Sequence, residues 1–397
     1  MSNKRRDNKG RILRNGESQR KDGRYTYKYV DVFGNIKFVY SWRLTETDST
    51  PKGKRHDLSL REKEKEILKD IENGVDTLGR KMTVLELVKK YTFQKRNVKY
   101  YTKTRYEYVE NILKREKFGM KRIDTVKISE AKAWFIKINE NGMSFNTIRA
   151  IRGVIKPAFN MALTDDLIRK NPFDFVLSDV IENNKDARRA LTDDEEKRFI
   201  NFLCEDKCYK KYYDEVIILL RTGMRISEMC GLTLQDVDFK NRKINIDHQL
   251  IRTKKMEYII ETPKTKSGIR QIPMTDEVYK ALKNIINNRK ITKNIDIDGK
   301  SNFLFIDKLG NPKVSSHYQE MFRQITKKFN KLNNEKNIQI TPHVLRHTFC
   351  TKMAHLGMNP KTLQFIMGHS DISITLNLYT HASFDNALQE MQRISSL

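Results

Sequence analysis

The stretch Thr341-Pro342-His343-Val344-Leu345-Arg346-His347-Thr348 decides how the C-terminal half of the chain is read. On a helical pattern His343 and Arg346 are three residues apart and share a face. Working outward, three other landmarks stand in the same half. Upstream are Thr222-Gly223-Met224-Arg225-Ile226-Ser227-Glu228 and the string Thr262-Pro263-Lys264-Thr265-Lys266-Ser267-Gly268-Ile269-Arg270. Downstream, Gly368-His369 is followed ten residues on by Tyr379, in Thr375-Leu376-Asn377-Leu378-Tyr379-Thr380-His381. Together they offer two arginines, two histidines, a lysine and one phenol, with few carboxylates. Such a pocket suits a phosphodiester, whose transition state spreads negative charge over non-bridging oxygens that guanidinium forks match. It suits a metal ion poorly, because clustered carboxylates are missing. Taken singly, each residue has a plainer reading: an arginine after a glycine turn is usually a surface charge, and a tyrosine near a C-terminus is usually packing. His347 and His381 read as ordinary neighbours.

Composition agrees with a polyanionic partner. The chain has 397 residues, with 77 Lys+Arg against 50 Asp+Glu and a net charge of +27. The excess is spread along the whole length, as expected if each domain touches the partner. At this length two or three domains are expected. No run approaches the roughly 18 apolar residues of a spanning helix, and no apolar stretch follows the basic N-terminus as in a signal peptide. A cytoplasmic protein that binds nucleic acid and no membrane is the expectation. Four cysteines, Cys204, Cys208, Cys230 and Cys350, sit in apolar helical patterns. They lack a second pair at zinc-like spacing, so buried free thiols are expected.

Along the N-terminal segment, period-two patterning over residues 24–30 and 36–42, around a Gly34-Asn35 turn, predicts an antiparallel hairpin. Tyr25, Tyr27 and Tyr29 share one face, and Arg24 and Lys28 the other; Trp42 and the tyrosines read as core. Ser59 and Glu62 form a capping box for a helix that Gly74 can end. A second capping box, Thr83 with Glu86, opens an all-helical segment. Its helices are expected near 104–117, 129–141 and 146–163, with Gly119 and Gly142 as stops and Pro157 kinking or dividing the last. Residues 178–189 have linker composition. A third box, Thr192 with Glu195, starts a helix expected to run to Arg221. Short strands follow at 243–248, 258–262 and 270–274, and then helices from Asp276 onward, broken at 303–306. The fold class is multidomain and mainly α: a small β-sheet-plus-helix N-terminal domain, an all-α middle domain, and a mixed, mainly-α third domain with a small antiparallel sheet.

The ordered set Arg … Lys … His-x-x-Arg … His … Tyr closely resembles the tyrosine recombinase (phage-integrase-type) family. The likeness covers nearly the whole chain, and strings such as His347-Thr348-Phe349 and Met367-Gly368-His369 look like the integrases of conjugative transposons. The resemblance implies an integrase that excises and integrates a mobile element through a covalent 3′-phosphotyrosine, with no metal, ATP or other cofactor. Tyr379 would be the nucleophile. Arg225 and Arg346 would clamp the phosphate, and His343 and His369 would add hydrogen bonds. Glu228 would orient the arginine, with a structural ion pair as the alternative, and Lys264 would protonate the leaving oxygen. Lys266, two residues on and on the same face if the strand continues, is the alternative to Lys264. The family also implies an arm-type DNA-binding domain in 1–81 that lays its sheet in the major groove. Arg24, Lys28 and Lys54 are its candidate contacts. A core-binding domain in 82–185, a catalytic domain in 190–380 and a tail in 381–397 would follow. By the family analogy the tail's stripe of Phe384, Leu388, Met391 and Ile394 would dock on a neighbouring subunit, the alternative being that it packs on its own domain. Double-stranded DNA with core-type and arm-type sites, a homotetramer, and an excisionase or DNA-bending accessory protein are the implied partners. Two rivals stand beside this reading: a topoisomerase-like enzyme, and an architectural DNA-binding protein with a decayed catalytic domain.

Overall fold

The computed structural model describes residues 5–30, 36–72, 82–183, 189–263, 265–289, 293–333, 338–379 and 391–392. It divides into two units, Met1–Lys185 and Asp186–Leu397.

In the first unit, alternation of aromatic and polar residues builds the antiparallel sheet β1 (Glu17–Gln19), β2 (Tyr25–Val30) and β3 (Ile36–Ser41), in the order β1-β2-β3. Tyr27 pairs with Val39 and Lys28 with Phe38. Because side chains alternate across a strand, Tyr25 and Tyr27 turn inward. They are buried with Leu13, Leu44, Leu60 and Ile67, the last two on helix α1 (Leu60–Glu72). Lys28, Val30, Ile36, Phe38 and Tyr40 are left exposed on the opposite face. The expected Ser59–Glu62 box is present, with the Ser59 amide donating to Glu62 at 2.8 Å. The expected Gly34-Asn35 turn and the Gly74 stop lie outside the described residues. Trp42 and Tyr40 depart from the core reading: Tyr40 is exposed and Trp42 only half-buried. Both rings are covered by cations, which satisfies them without burial in an apolar core.

The helical module that follows comprises α2 (Val84–Gln94), α3 (Tyr100–Arg115), α4 (Ile128–Glu140) and α5 (Phe145–Thr164). Thr83 and Glu86 cap α2 reciprocally, and Ser144 caps α5. Pro157 does not divide α5, which runs 20 residues through it. Phe135, Phe159 and Phe173 are fully buried, and Phe118 stacks on Trp134 at 4.4 Å. The linker reading of 178–189 is corrected in its first part: Leu177 and Ile181 are buried in this core. Apolar side chains spaced by four residues anchor the start of that stretch. Residues 184–188 lie outside the described residues.

The second unit opens with α6 (Asp193–Glu205), capped by Thr192 and Glu195 as expected. The single helix expected to reach Arg221 is two: α6 stops at Asp206, and α7 (Tyr213–Thr222) starts afresh. Asp206 causes the break, since its carboxylate accepts from the amides of Cys208 and Tyr209 in place of a helical continuation. Helix α8 (Ile226–Gly231) leads to β4 (Val237–Asp238), β5 (Lys243–Ile246), β6 (Gln249–Arg252), β7 (Tyr258–Glu261) and β8 (Arg270–Pro273). These pair as β4-β5-β8 and as the separate hairpin β6-β7. Helices α9 (Asp276–Asn288), α10 (Ser315–Leu332), α11 (Pro342–His355), α12 (Pro360–Met367) and α13 (Ser373–Leu376) follow. The core of this unit centres on α7, whose Val216, Ile217, Ile218, Leu219 and Leu220 are at most 1% exposed. Each such burial contributes about 1.5–3 kcal/mol. That rigid helix fixes where its C-terminal Gly223 stands. Cys230 and Cys350 are buried as expected, but Cys204 and Cys208 are exposed. The break at Asp206 takes Cys208 out of the helix and away from the apolar face.

Candidate active site

Three helix ends and one strand start meet around a single carboxylate. Gly223 closes α7 in the left-handed conformation, φ 62°, and Arg225 follows as the residue capping α8. Its amide donates to Glu228 at 2.9 Å and its guanidinium donates to the other carboxylate oxygen at 2.7 Å. Across the strands Arg270, at the start of β8, donates to both Glu228 oxygens at 3.2 and 2.8 Å. Burial alone would raise the Glu228 carboxyl. The Arg270 hydrogen bonds and the charges of Arg270 and Arg225 overcome it and hold the group below its ordinary value, so it stays ionised.

The C-terminus of α12 presents consecutive carbonyls to the same cations. Arg270 donates to Ile366 at 2.6 Å, Arg346 to Met367 at 2.6 Å, and Arg225 to Gly368 at 3.2 Å. Arg346 also donates to Gly223 at 2.6 Å, so one guanidinium closes the ends of α7 and α12 together. Helix C-termini carry partial negative charge and favour such cations. Even so, among the described residues the set is over-charged: three guanidiniums face one carboxylate. Burial first, then Arg225 and Arg270, push Arg346 down to about 9. An added anion would relieve that repulsion.

His369 follows Gly368 and is half-buried. Its Nδ1 lies 3.0 Å from the hydroxyl of Thr375, which is fully buried. Burial, then Arg346, Arg225 and Arg270, push its imidazole down to about 4. It is therefore a neutral ring near neutral pH, able to give a hydrogen bond without adding charge. His343 is exposed in the first turn of α11, three residues before the buried Arg346.

Tyr379 is placed differently from the arginines. Its hydroxyl donates to the Met358 backbone carbonyl, and burial, with Cys350 nearby, raises its phenol above the ordinary value. Among the described residues the hydroxyl makes no hydrogen bond to Arg225, Arg346 or His369. The structure thus brings together Arg225, Glu228, Arg346 and His369, and holds Tyr379 on a neighbouring carbonyl.

Lys264 lies outside the described residues. Lys266 is exposed in a turn of 3-10 helix over Lys266–Gly268. Strand β7 ends at Glu261, so the idea that both lysines share a strand face is corrected. Gly268 explains the turn: a Cβ there would stand 2.3 Å from Pro263 Cβ, and the chain folds back on itself. Sequence reasoning missed Arg270. Its signal was a strand of alternating polarity that opens on an inward charge, and such a charge must find a partner.

In the first unit, Arg24 lies 5.6 Å from the Trp42 ring centre and 5.8 Å from that of Tyr40, while Lys54 lies 4.9 Å over Trp42. Lys28 is exposed on the same open side of the sheet. One group of metal-ligand residue types occurs among the described residues: Asp236, Asp247 and His248. Both His248 nitrogens already face Asp247 and the Gly231 carbonyl, and the Lys300 ammonium is 3.6 Å from Asp247. That arrangement is closed by its own ion pairs.

Comparison with known proteins gives concordant matches. The family described as "Phage integrase family" matches residues 189–386, "DNA binding domain of tn916 integrase" matches 1–71, and "Phage integrase SAM-like domain" matches 83–181. The transposase from transposon Tn1545 of Streptococcus agalactiae is 52% identical over 395 residues, spanning 100% of this chain and 98% of the relative. The transposase from transposon Tn916 of Enterococcus faecalis matches at the same 52% and with the same coverage. Among solved structures, a fragment of the Tn1549 transposon integrase in complex with a circular intermediate DNA is 48% identical. It superposes with a TM-score of 0.75, covering 79% of this chain and 99% of that one. A second fragment of that integrase, a tyrosine-to-phenylalanine variant with transposon right end DNA, matches with a TM-score of 0.74.

Proposed function

Because the chain belongs to the phage integrase family of tyrosine recombinases, we propose that its over-charged arginine cluster is the site where a DNA phosphodiester is cut and rejoined through Tyr379. The protein is a site-specific DNA recombinase of the conjugative-transposon integrase type, and DNA is its substrate.

The observation that carries the site assignment is that Arg225 and Arg270 bond Glu228 while Arg346 and His369 stand within reach of their charges, with more positive charge than the described residues neutralise. A scissile phosphate supplies the missing anion. Arg225 and Arg346 then bind its non-bridging oxygens, and neutral His369 donates from its free edge. Tyr379 leaves the Met358 carbonyl and attacks phosphorus. The bond to the 5′-oxygen breaks, and a 3′-phosphotyrosine forms. His343 is the candidate acceptor of the phenol proton, and Lys264 the donor to the leaving 5′-oxygen. The hydroxyl of a partner strand reverses these steps. Bond energy is kept in the phosphotyrosine and the developing charge is met by guanidiniums, so the reading needs neither ATP nor a metal ion.

The remaining roles follow the same reading. Residues 1–81 bind arm-type sites, with Arg24, Lys28 and Lys54 as contacts. Residues 82–185 bind the core site, and 190–380 perform the chemistry. The tail 381–397, which apart from 391–392 lies outside the described residues, docks on a neighbouring subunit. Four copies exchange two duplexes, with an excisionase or bending protein choosing direction. No helix among the described residues is long and apolar enough to cross a membrane, and we place the enzyme on DNA in the cytoplasm.

The test of the reaction is product analysis on paired attachment sites. Exchanged flanks are expected. Relaxed circles without exchange would favour a topoisomerase-like enzyme.

A further inference from the structure

Arg270 has no part in the scheme above, yet it is the most enclosed charge of the site. Its side chain is 0% exposed. It makes four hydrogen bonds to three separate pieces of chain. Two go to Glu228 on α8, one goes at 2.6 Å to Ile366 on α12, and one goes at 3.0 Å to Gly268, at the end of the lysine-bearing loop. Gly368 packs directly on it, since a Cβ there would stand 3.0 Å from the Arg270 guanidinium and 3.0 Å from the Ser267 carbonyl. No DNA phosphate can reach a side chain so enclosed, so any effect on the reaction must pass through a neighbour.

The neighbour is Glu228. Its Oε1 accepts from Arg225 at 2.7 Å and from Arg270 at 3.2 Å, while its Oε2 accepts from the Arg225 amide and from Arg270 at 2.8 Å. Arg225 keeps 41% of its side chain exposed, whereas Glu228 keeps 3%. A carboxylate that buried stays ionised and immobile only with a fixed cation beneath it. Arg225 cannot serve as that anchor while it binds a phosphate.

We propose that Arg270 is a positioning residue for strand cleavage, pinning Glu228 from below so that Arg225 meets the scissile phosphate in one orientation. Arg270 touches no DNA. It holds the carboxylate, and the carboxylate holds the guanidinium that works. The proposal rests on Arg225 being a phosphate-binding group.

The test is a double-mutant cycle on the full-length protein, with Arg225→Lys, Arg270→Lys and the pair. It is read as the single-turnover cleavage rate on a saturating nicked suicide duplex, beside the dissociation constant for that DNA. Arg270→Lys keeps the charge but cannot span Glu228 and Ile366 together. It is expected to slow cleavage by about tenfold or more while binding changes less than about twofold. Added to Arg225→Lys, it is expected to cost less than about twofold further, because the group it positions is already gone. Full additivity of the two effects would overturn the proposal in favour of a structural role. Equal loss of binding and cleavage would do the same. A duplex with a 5′-bridging sulfur separates the other route: sulfur leaves without protonation, so rescue of Arg270→Lys by it would show action on the loop lysine and overturn the proposal. If Arg270→Lys does not fold, judged by its circular dichroism and melt, the neutral pair Glu228→Gln with Arg270→Met replaces it. That pair removes both buried charges and must still cleave slowly at intact binding; cleavage at the wild-type rate would overturn the proposal. Wild-type cleavage by Arg225→Lys alone would instead defeat the phosphate-binding reading itself.

Discussion

Arg346 donates to the Gly223 carbonyl at 2.6 Å, across 123 residues of sequence. This hydrogen bond ties the helix carrying the His-x-x-Arg string to the turn that precedes Arg225. Gly223 can offer its carbonyl there because it has no Cβ. One would stand 2.5 Å from the Phe349 ring and 2.8 Å from the Met367 sulfur, at a φ that L side chains rarely adopt. Gly223→Ala is expected to lower stability by on the order of 1–3 kcal/mol and to slow cleavage more than it weakens DNA binding. Chemical denaturation beside single-turnover cleavage checks this. An unchanged melt and rate would show that the turn tolerates displacement.

His369 gives a pH prediction with a definite sign. Its folded value is about 4, against 6.5 for an ordinary histidine. The unfolded chain therefore binds the extra proton first. This group's contribution to stability is fully present above pH 6.5 and is lost as pH falls from about 6.5 to about 4. Nitrogen-15 NMR of the ring in DNA-free protein should show a neutral imidazole at pH 6. A midpoint near 6.5 would mean that the surrounding arginines do not act on it.

The four thiols should split in two. Cys204 and Cys208 are exposed; Cys350 is buried and pushed up to about 11, and burial raises Cys230 further. A thiol reagent under native conditions is expected to titrate two cysteines quickly and two only after unfolding. Modification of the fast pair should leave cleavage unchanged. Four fast thiols would contradict the core described here.

For the N-terminal sheet, replacing Arg24 or Lys54 with alanine should lower the salt dependence of arm-site binding. Each phosphate that is no longer neutralised takes about 0.9 from the log–log slope. Trp42 lies within reach of both cations, so its fluorescence should change on binding. Unaltered slopes in both variants would remove this face from the interface.

Much of this was legible in sequence because local chemistry and tertiary fold agree. The three capping boxes at Ser59, Thr83 and Thr192 each satisfy amides that the helix itself cannot. Tyr25 and Tyr27 follow strand alternation into their core. Local patterning failed where a side chain competed with the backbone, as Asp206 does in ending α6. It failed also where partners lie far apart in sequence. Arg270 and Glu228 are 42 residues apart and Arg270 and Ile366 are 96 apart, and no spacing rule joins them. Motif order marked Arg225, Arg346, His369 and Tyr379 as a set, but it could not show the Tyr379 hydroxyl resting on Met358.

The central claim is that Tyr379 forms the covalent bond to DNA in a site charged by arginines and not by metal. The most direct measurement incubates a nicked suicide duplex bearing the element's end with wild-type and Tyr379→Phe protein in EDTA. A denaturation-resistant protein–DNA adduct from wild type alone is the predicted result, with both proteins binding the duplex. An adduct from Tyr379→Phe, or none from wild type bound to a cognate end, would contradict it.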